Sequence, residues 1–389
     1  MADSVKHACV ITPIYPDKWF FEQGAFVDRL VHEWKNQGLR VDVVAPRKIS
    51  NTLKRVFTDK YTSHQIAGDT VLYPKYISVS NKKLLNLDLK KISLQNFNKS
   101  ALNSLESLNT PDFFYGQFLE SGGSAVVAAG KKYFRPAFAN VGESALNKSG
   151  SDEEKIKLSE LIRSLDGLAC VSKELADEVI RLGADPERVM FYPNTVNLDR
   201  FKKLNQSKCR KKVGLPSDDI IAIFVGHFIE RKGPLRVLQS LEMQSNKKVK
   251  AIFIGRGDQQ PRSELILHKG PLPNNELNTW LCASDFFVLP TLQEGYCNAI
   301  NEAMACGLPI ISSDIPEIRM QVPAEAGILV NPSDTNLLAR AIDELACNPD
   351  IRKKMGEAAY REQVKRSSRS RASVILEWIN QILKQQKDQ

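Results

Sequence analysis

Two acids in one string carry the strongest chemical signal of the chain. Glu294 and Glu302 stand eight positions apart in LPTLQEGYCNAINEAMACGLPIISSD. Between them, Gly295, Tyr296, Cys297, Asn298 and Ala299 lead from a strand end through a loop into a helix that starts near Asn298. In open α/β sheets, ligands bind at the carboxyl ends of strands. The amides of a first helical turn, here Asn298 to Asn301, favour a phosphate. A carboxylate beside such a turn accepts hydrogen bonds from vicinal hydroxyls, so Glu302 suits a ribose and Glu294 a hexose. The competing assignment is a pair of helix-capping glutamates beside the packed face AMACG, and for an isolated acid pair that assignment is the preferred one.

Such a site needs a sheet to hold it. HACVITP at residues 7–13, a helix over 22–36 and LRVDVVAP at 39–46 read as a βαβ unit, which requires parallel strands. Residues 47–110 are of mixed character. They include NKKLLNLDLKKISLQNFNKS, where Lys82, Lys83, Lys90 and Lys91 interleave with Leu84, Leu85, Leu87, Leu89 and Ile92, a pattern for a basic amphipathic surface element. A strand, a small-residue helix over 124–130, a strand ending at Gly142, a charged helix over 152–164, GLACVS, a helix over 173–182 and RVMFYPN continue the alternation to Asn194. The polar, Lys-rich run from Leu204 to Ser217 reads as an exposed connection. A second series follows: strands IIAIFVG, VKAIFIG, DFFVLP and LPIISS, with helices over 234–242, 275–282, 298–306 and 335–347. Two successive βα series predict an α/β chain of two doubly wound, Rossmann-like domains facing a central cleft, residues 1–198 and 199–371. Val374, Ile375, Trp378, Ile379 and Ile382 give a last amphipathic helix, about residues 372–389, that must pack on something.

Bulk properties narrow the classes. The chain has 389 residues, 42% hydrophobic and 25% charged, a globular composition long enough for two domains. Polar residues and Asp3 interrupt the start where a secretory signal needs an apolar run, and no stretch is long and apolar enough to span a bilayer. Seven cysteines lack C-x-x-C spacing; Cys9, Cys170, Cys282 and Cys306 lie in apolar runs and read as buried thiols of a reducing cytoplasm rather than disulfides or metal ligands. The net charge of +9 favours anionic partners, yet its cations are dispersed and no nucleic-acid signature accompanies them. RGD at Arg256 to Asp258 is a loop after a strand, and ESGGS lacks the G-x-S-x-G pattern of a hydrolase.

The string around the two acids resembles the donor-binding motif of family 4 glycosyltransferases, EGF followed by EAMAxGxPVI. IAIFVGHFIERKG is similar to that family's VGRLxxxKG, AIFIGRGD to its glycine loop, GPLPNNELNTWLCASDFFVLPT to the segment ending in vlPS, and GILVNPSDTNLLARAI to the segment beyond. ACVSKELADEVIRLGADPERVMFYPNTVNLDRF is similar to the first-domain motif ending in PNGVD. The similarity is close over residues 165–345 and weaker before them.

The resemblance implies the GT-B arrangement, with the last helix crossing back to the first domain, the donor held mainly by the second domain and the acceptor by the first. It assigns Glu294 to the donor sugar, Glu302 to the ribose and Lys232 to the donor diphosphate. Gly24, in EQGAF, corresponds to a glycine loop that approaches the diphosphate, and Gly255 and Leu272 fall on donor-side loops, the base being read by the backbone around Gly270 to Pro273. His227 stands where the family has an arginine, Thr195 and Asn197 replace its glycine and aspartate, and Glu143 stands near a family histidine that contacts the donor sugar. Glu143 suits either a bond to the sugar or acceptor hydroxyl or a helix N-terminal acid. His227 suits either a phosphate or a backbone carbonyl. The implied activity is retaining transfer of a hexose from a nucleotide-sugar, UDP-linked by preference, to a glycan or lipid-linked glycan in surface polysaccharide biosynthesis. It uses no cofactor and no metal, no nucleic-acid partner, and a cytoplasmic protein with peripheral contact to anionic membrane. A catalytically weak paralogue serving as a binding or assembly subunit, and a phosphorylase or epimerase of the same fold, are the alternatives.

Overall fold

In a computed structural model, residues 5–17, 24–49, 64–66, 69–78, 83–84, 87–143, 146, 151–244, 249–273, 275–367 and 370–387 are described. The chain forms two compact units, Met1–Pro193 with Arg371–Gln389, and Asn194–Ser370.

The first unit carries β1 (His7–Ile11), α1 (Ala25–Asn36), β2 (Arg40–Val44), β3 (Arg47–Lys48), β4 (His64–Ile66), β5 (Asp69–Leu72), β6 (Lys75–Tyr76), β7 (Lys83–Leu84), β8 (Leu87–Asp88), α2 (Leu89–Leu105), β9 (Phe113–Gln117), α3 (Ser124–Tyr133), β10 (Ala137–Val141), α4 (Asp152–Arg163), β11 (Gly167–Cys170), α5 (Lys173–Arg181) and β12 (Val189–Phe191). Its main sheet has the order β12-β11-β10-β9-β1-β2-β5-β4, parallel except for the β4–β5 pair. Strands such as Phe113–Gln117 and Ala137–Val141 are buried along their whole length, as expected for a sheet covered on both faces.

The second unit carries α6 (Gln206–Val213), β13 (Ile220–Val225), α7 (Pro234–Glu242), β14 (Val249–Ile254), β15 (Ile266–Gly270), α8 (Leu277–Ala283), β16 (Phe286–Leu289), α9 (Asn298–Ala305), β17 (Ile310–Ser313), α10 (Pro316–Gln321), β18 (Gly327–Val330), α11 (Thr335–Cys347) and α12 (Pro349–Arg366). Its sheet is fully parallel, in the order β15-β14-β13-β16-β17-β18. The chain runs outward from β13 to one side and then from β16 to the other, so the order reverses between those two strands.

The last helix, α13 (Arg371–Lys387), belongs to the first unit. Ile375 and Ile379 are fully buried, Trp34 donates its indole N–H to the Ala372 carbonyl at 2.8 Å, and Trp378 packs edge-on against Phe138. Gly167 leaves Trp378 its room, since a Cβ there would stand 2.6 Å from the ring.

Several elements differ from the sequence reading. Residues 204–217 are not a bare connection: α6 occupies them, capped by Asn205, and its Arg210 is buried on Asp285 at 2.7 Å. The supposed surface stretch divides. Lys82 and Leu85 lie outside the described residues, β7 pairs with β8, and Lys90, Lys91 and Ile92 open α2, which buries Phe97, Ala101 and Leu105. Six cysteines are buried and Cys347 is exposed. Among the described residues no helix is long and apolar enough to cross a membrane.

Candidate active site

The reversal of strand order between β13 and β16 leaves the loops after these strands side by side, the place where open sheets of this kind bind ligands. The loop after β13 contains His227, exposed, and a 3₁₀ turn Glu230–Lys232 that ends at Gly233 in the left-handed conformation. The loop after β16 runs from Pro290 to Glu294. Backbone and side chains join the two: Leu292 N–H donates to Arg231 O at 2.8 Å, Arg231 Nη1 to Gln293 O at 2.5 Å, and Arg236 Nη2 to Pro290 O at 2.9 Å. From β17, the buried Ser312 and Ser313 donate to the carbonyls of Leu289 and Thr291.

This frame brings Lys232 and Glu294 together. Lys232 Nζ donates to Glu294 Oε1, and Thr291 Oγ1 donates to the same oxygen at 2.8 Å. Arg231 Nη1 lies 3.5 Å away. Glu294 is 5% exposed, so its charge is held by two cations and a hydroxyl and not by water. The structure thus joins two sequence-predicted residues and adds Thr291 and Arg231, which the motif did not single out.

Three residues on, α9 begins. Its N-cap is Cys297, with no side-chain hydrogen bond capping the helix. Burial pushes the Cys297 thiol up to about 11, against the pull of Lys232 and of the Ile300 and Ala299 amides. The N-cap is a neutral thiol that makes no capping hydrogen bond to the first helical amides. Asn298 accepts from Asn194 Nδ2 at 3.1 Å, and Tyr296 is half-buried beside Arg366 and Asn301, burial raising its phenol. Glu302, one turn after Asn298, is half-buried on the same helix.

The adjacent strand ends approach closely. Gly255 follows β14 at φ 151°, and a Cβ there would meet Gly226 O at 1.9 Å; its N–H donates to Gly270 O at 3.0 Å. Three neighbouring strands therefore end in glycines whose backbones face one another. Leu272, just past β15, packs half-buried on the core.

Residues 205–362 match the family model described as Glycosyl transferases group 1. Over these residues, less than half of the chain, it is similar to group 1 glycosyltransferases. TuaC of Bacillus subtilis, named as a teichuronic acid biosynthesis glycosyltransferase, is 25% identical over 349 residues, 85% of this chain and 87% of its own. A D-inositol 3-phosphate glycosyltransferase of Streptomyces bingchenggensis is 28% identical over 251 residues, 57% of this chain; the chain spans about half of that relative, 54%. Among solved structures, sucrose-phosphate synthase from Thermosynechococcus elongatus matches with a TM-score of 0.78, 18% identity and coverage of 98% of this chain and 99% of its own. HepE of Anabaena, in complex with UDP and glucose, matches with a TM-score of 0.69 at 15% identity, over 98% of this chain and 99% of its own. These structures give the fold, GT-B, with parallel α/β sheets in two domains, and the family-model match together with the relatives' names supports a transferase.

The matched residues 205–362 lie in the second unit, and Gly24 and Glu143 lie in the first. Gly24, at φ 75°, caps α1 against the loop after β1; a Cβ would stand 2.6 Å from Ile14 O, so only glycine fits. Glu22 and Gln23 beside it lie outside the described residues. Glu143 follows β10 and accepts from the amides of Leu119, just after β9, and of Gly142, the latter at 2.9 Å. Burial drives its carboxyl up to about 7 against those amides, with Glu120 adding to the rise. Leu119 belongs to a π-helical turn, Phe118–Gly123, entered through Phe118 at φ 65°, an unfavourable conformation for a bulky side chain.

Proposed function

We propose that the chain is a retaining glycosyltransferase that moves a hexose from a UDP-sugar to a glycan or lipid-linked glycan acceptor in surface polysaccharide biosynthesis. The observation that carries this reading is the Lys232–Glu294 pair at the reversal of the second sheet, three residues before an uncapped helix start. In this reading the donor diphosphate lies against the first amides of α9 and against Lys232, Glu294 accepts hydroxyls of the sugar, and Glu302 accepts those of the ribose. The bond from the anomeric carbon to the diphosphate breaks with its electron pair going to phosphate. The acceptor oxygen adds to the same face, and its proton passes to the departing phosphate oxygen. Charge grows on the diphosphate along this path, so a fixed Lys232 stabilises the transition state more than the bound substrate. Glu143, titrating near neutrality, orients the acceptor hydroxyl. No cofactor is assigned, and Lys232 is taken as the cation that meets the diphosphate. The names of TuaC and of HepE with UDP and glucose support this choice of donor and pathway class. A lipid-linked acceptor would bring the protein to an anionic membrane, which sedimentation with anionic liposomes at low salt tests.

Thermal-shift and calorimetric titration with UDP, GDP and ADP and their sugars tests the donor, because a ligand that binds only the folded form raises its melting temperature. Stabilisation by UDP, and NMR of product showing the donor's anomeric configuration kept, are expected. Failure of all three nucleotides to bind overturns the reading. Turnover only with inorganic phosphate as acceptor would make the protein a phosphorylase.

A further inference from the structure

We infer that Gln321 is a positioning residue for the nucleotide-binding end of α9, a role that rests on the reading above. Gln321 closes α10, and it is 0% exposed. Its side-chain amide answers both backbone groups of the N-cap residue: Cys297 N–H donates to Oε1 at 3.2 Å, and Nε2 donates to Cys297 O at 2.6 Å. The second hydrogen on Nε2 goes to Asn301 Oδ1 at 2.9 Å. Oxygen and nitrogen of the amide are fixed by this network, because only one orientation lets it accept from an N–H and donate to a carbonyl of the same residue.

A buried primary amide is costly unless every polar atom is bonded, so a position that only filled space would be better served by an aliphatic residue. What Gln321 supplies is direction. By gripping both sides of Cys297 it holds that residue at φ −91°, ψ 102°, and hence the plane from which the Asn298 and Ala299 amides project. Its own backbone is held in turn: Arg366, whose Nε bonds Glu362 at 2.7 Å, donates to Gln321 O at 2.5 Å and to Met320 O at 2.9 Å. From the opposite side Asn301 Nδ2 donates to Asn194 O at 2.9 Å. The apolar anchoring of α9 is separate from all this, through fully buried Ile300, Ala303 and Met304. The helix therefore keeps its place in the core without Gln321 and loses its aim.

Two variants and one ligand test this. Gln321→Leu keeps the volume and removes all three bonds. Gln321→Glu, ionised, can still accept from Cys297 N–H but cannot donate to Cys297 O or Asn301; protonated, it regains a donor. The charged groups around it are Arg366 and Glu362 from α12 and Lys232 and Glu294 beside Cys297, all unchanged in the variants. UDP binding is measured by calorimetry at pH 5.5 and 8.0 as a ratio to the wild type, which cancels titration of the nucleotide itself. The expected result is a tenfold or greater loss for Gln321→Leu at both pH values, and for Gln321→Glu a similar loss at pH 8.0 that shrinks at pH 5.5, with donor KM raised more than kcat is lowered. A folded Gln321→Glu that binds UDP within twofold of the wild type at both pH values overturns the role. A wild type that binds no nucleoside diphosphate overturns the function itself, and this role with it.

Discussion

Each unit sets a glutamate at the carboxyl ends of its parallel strands, and the two are held in opposite ways. Glu294 follows β16, where the order of the second sheet reverses, and receives Lys232, Thr291 and, at 3.5 Å, Arg231. Glu143 follows β10, one strand out from the β1–β9 reversal of the first sheet, and receives two backbone amides with Glu120 nearby as a like charge. Charge at Glu294 is compensated by cations that a diphosphate can also use. Burial drives the Glu143 carboxyl up to about 7, Glu120 adds to the rise, and among the described residues backbone amides are what oppose it. The same topological location thus yields one carboxylate held by cations and one carboxyl that burial raises to about 7.

The largest expected effect separates the two directly. Lys232→Ala and Glu294→Gln should each lower kcat by about 10²–10³-fold, the loss typical of one fixed group facing developing charge, about 3–4 kcal/mol. The double variant should cost far less than the product of the two, because the residues act as a pair. Steady-state kinetics on purified, folded variants checks both. Additive losses would mean that the ion pair is incidental and that the two sites differ less than their surroundings imply.

The second prediction concerns stability. The folded pKa of Glu143, about 7, lies above its ordinary 4.5. The folded state therefore holds a proton that the unfolded state releases. The resulting stabilisation is complete below about pH 4.5 and is lost as pH rises through 7, a change of about 3 kcal/mol. Urea denaturation should show the wild type losing stability from pH 5 to pH 8, and Glu143→Gln losing less. At pH 8 the variant should be the more stable of the two while transferring sugar more slowly. Equal slopes for both proteins would place the Glu143 carboxyl in a setting no different from an ordinary surface acid.

The sequence made the second site legible because its parts are local. Strand, loop, Glu294 and helix follow within one string, and apolar runs such as IIAIFVG and DFFVLP mark buried parallel strands without help from distant residues. The bounds of α7 and α11 coincide with those read from the sequence. What stayed hidden depends on residues far apart. Polar α6 is anchored by Arg210 reaching Asp285 across 75 positions, and no periodicity announces that contact. Gln321 looks like any surface glutamine until α10 turns it onto Cys297, 24 residues earlier. Pro349–Arg366 has charges around most of its circumference and earns its burial at Gly356, Ala359 and Gln363 only through packing with the rest of the unit. In the first unit the π-helical turn and the positive φ of Phe118 accompany close packing of Gly116 on Gly122, where a Cβ would meet backbone at 2.5 Å. Backbone strain of that kind leaves no mark in residue type beyond the glycines.

The smallest expected effect sharpens the ionic site. Cys297 is a weak acceptor at an N-cap, and Cys297→Ser changes one atom. A serine hydroxyl in that place can cap the helix by accepting from its first amides, which the thiol does not do, and serine ranks among the best N-caps. The variant should therefore be more stable, by up to about 1 kcal/mol, and should bind UDP several-fold more weakly, since its own oxygen then competes with phosphate for the same amides. Opposite changes in melting temperature and in calorimetric affinity would locate the diphosphate at this helix end. Glu143 would be untouched, and its pH dependence should survive in the Cys297→Ser protein without change. If stability and affinity rise together, the amides of α9 are not where the phosphate binds, and the contrast between the two carboxylates must be rebuilt around Lys232 alone.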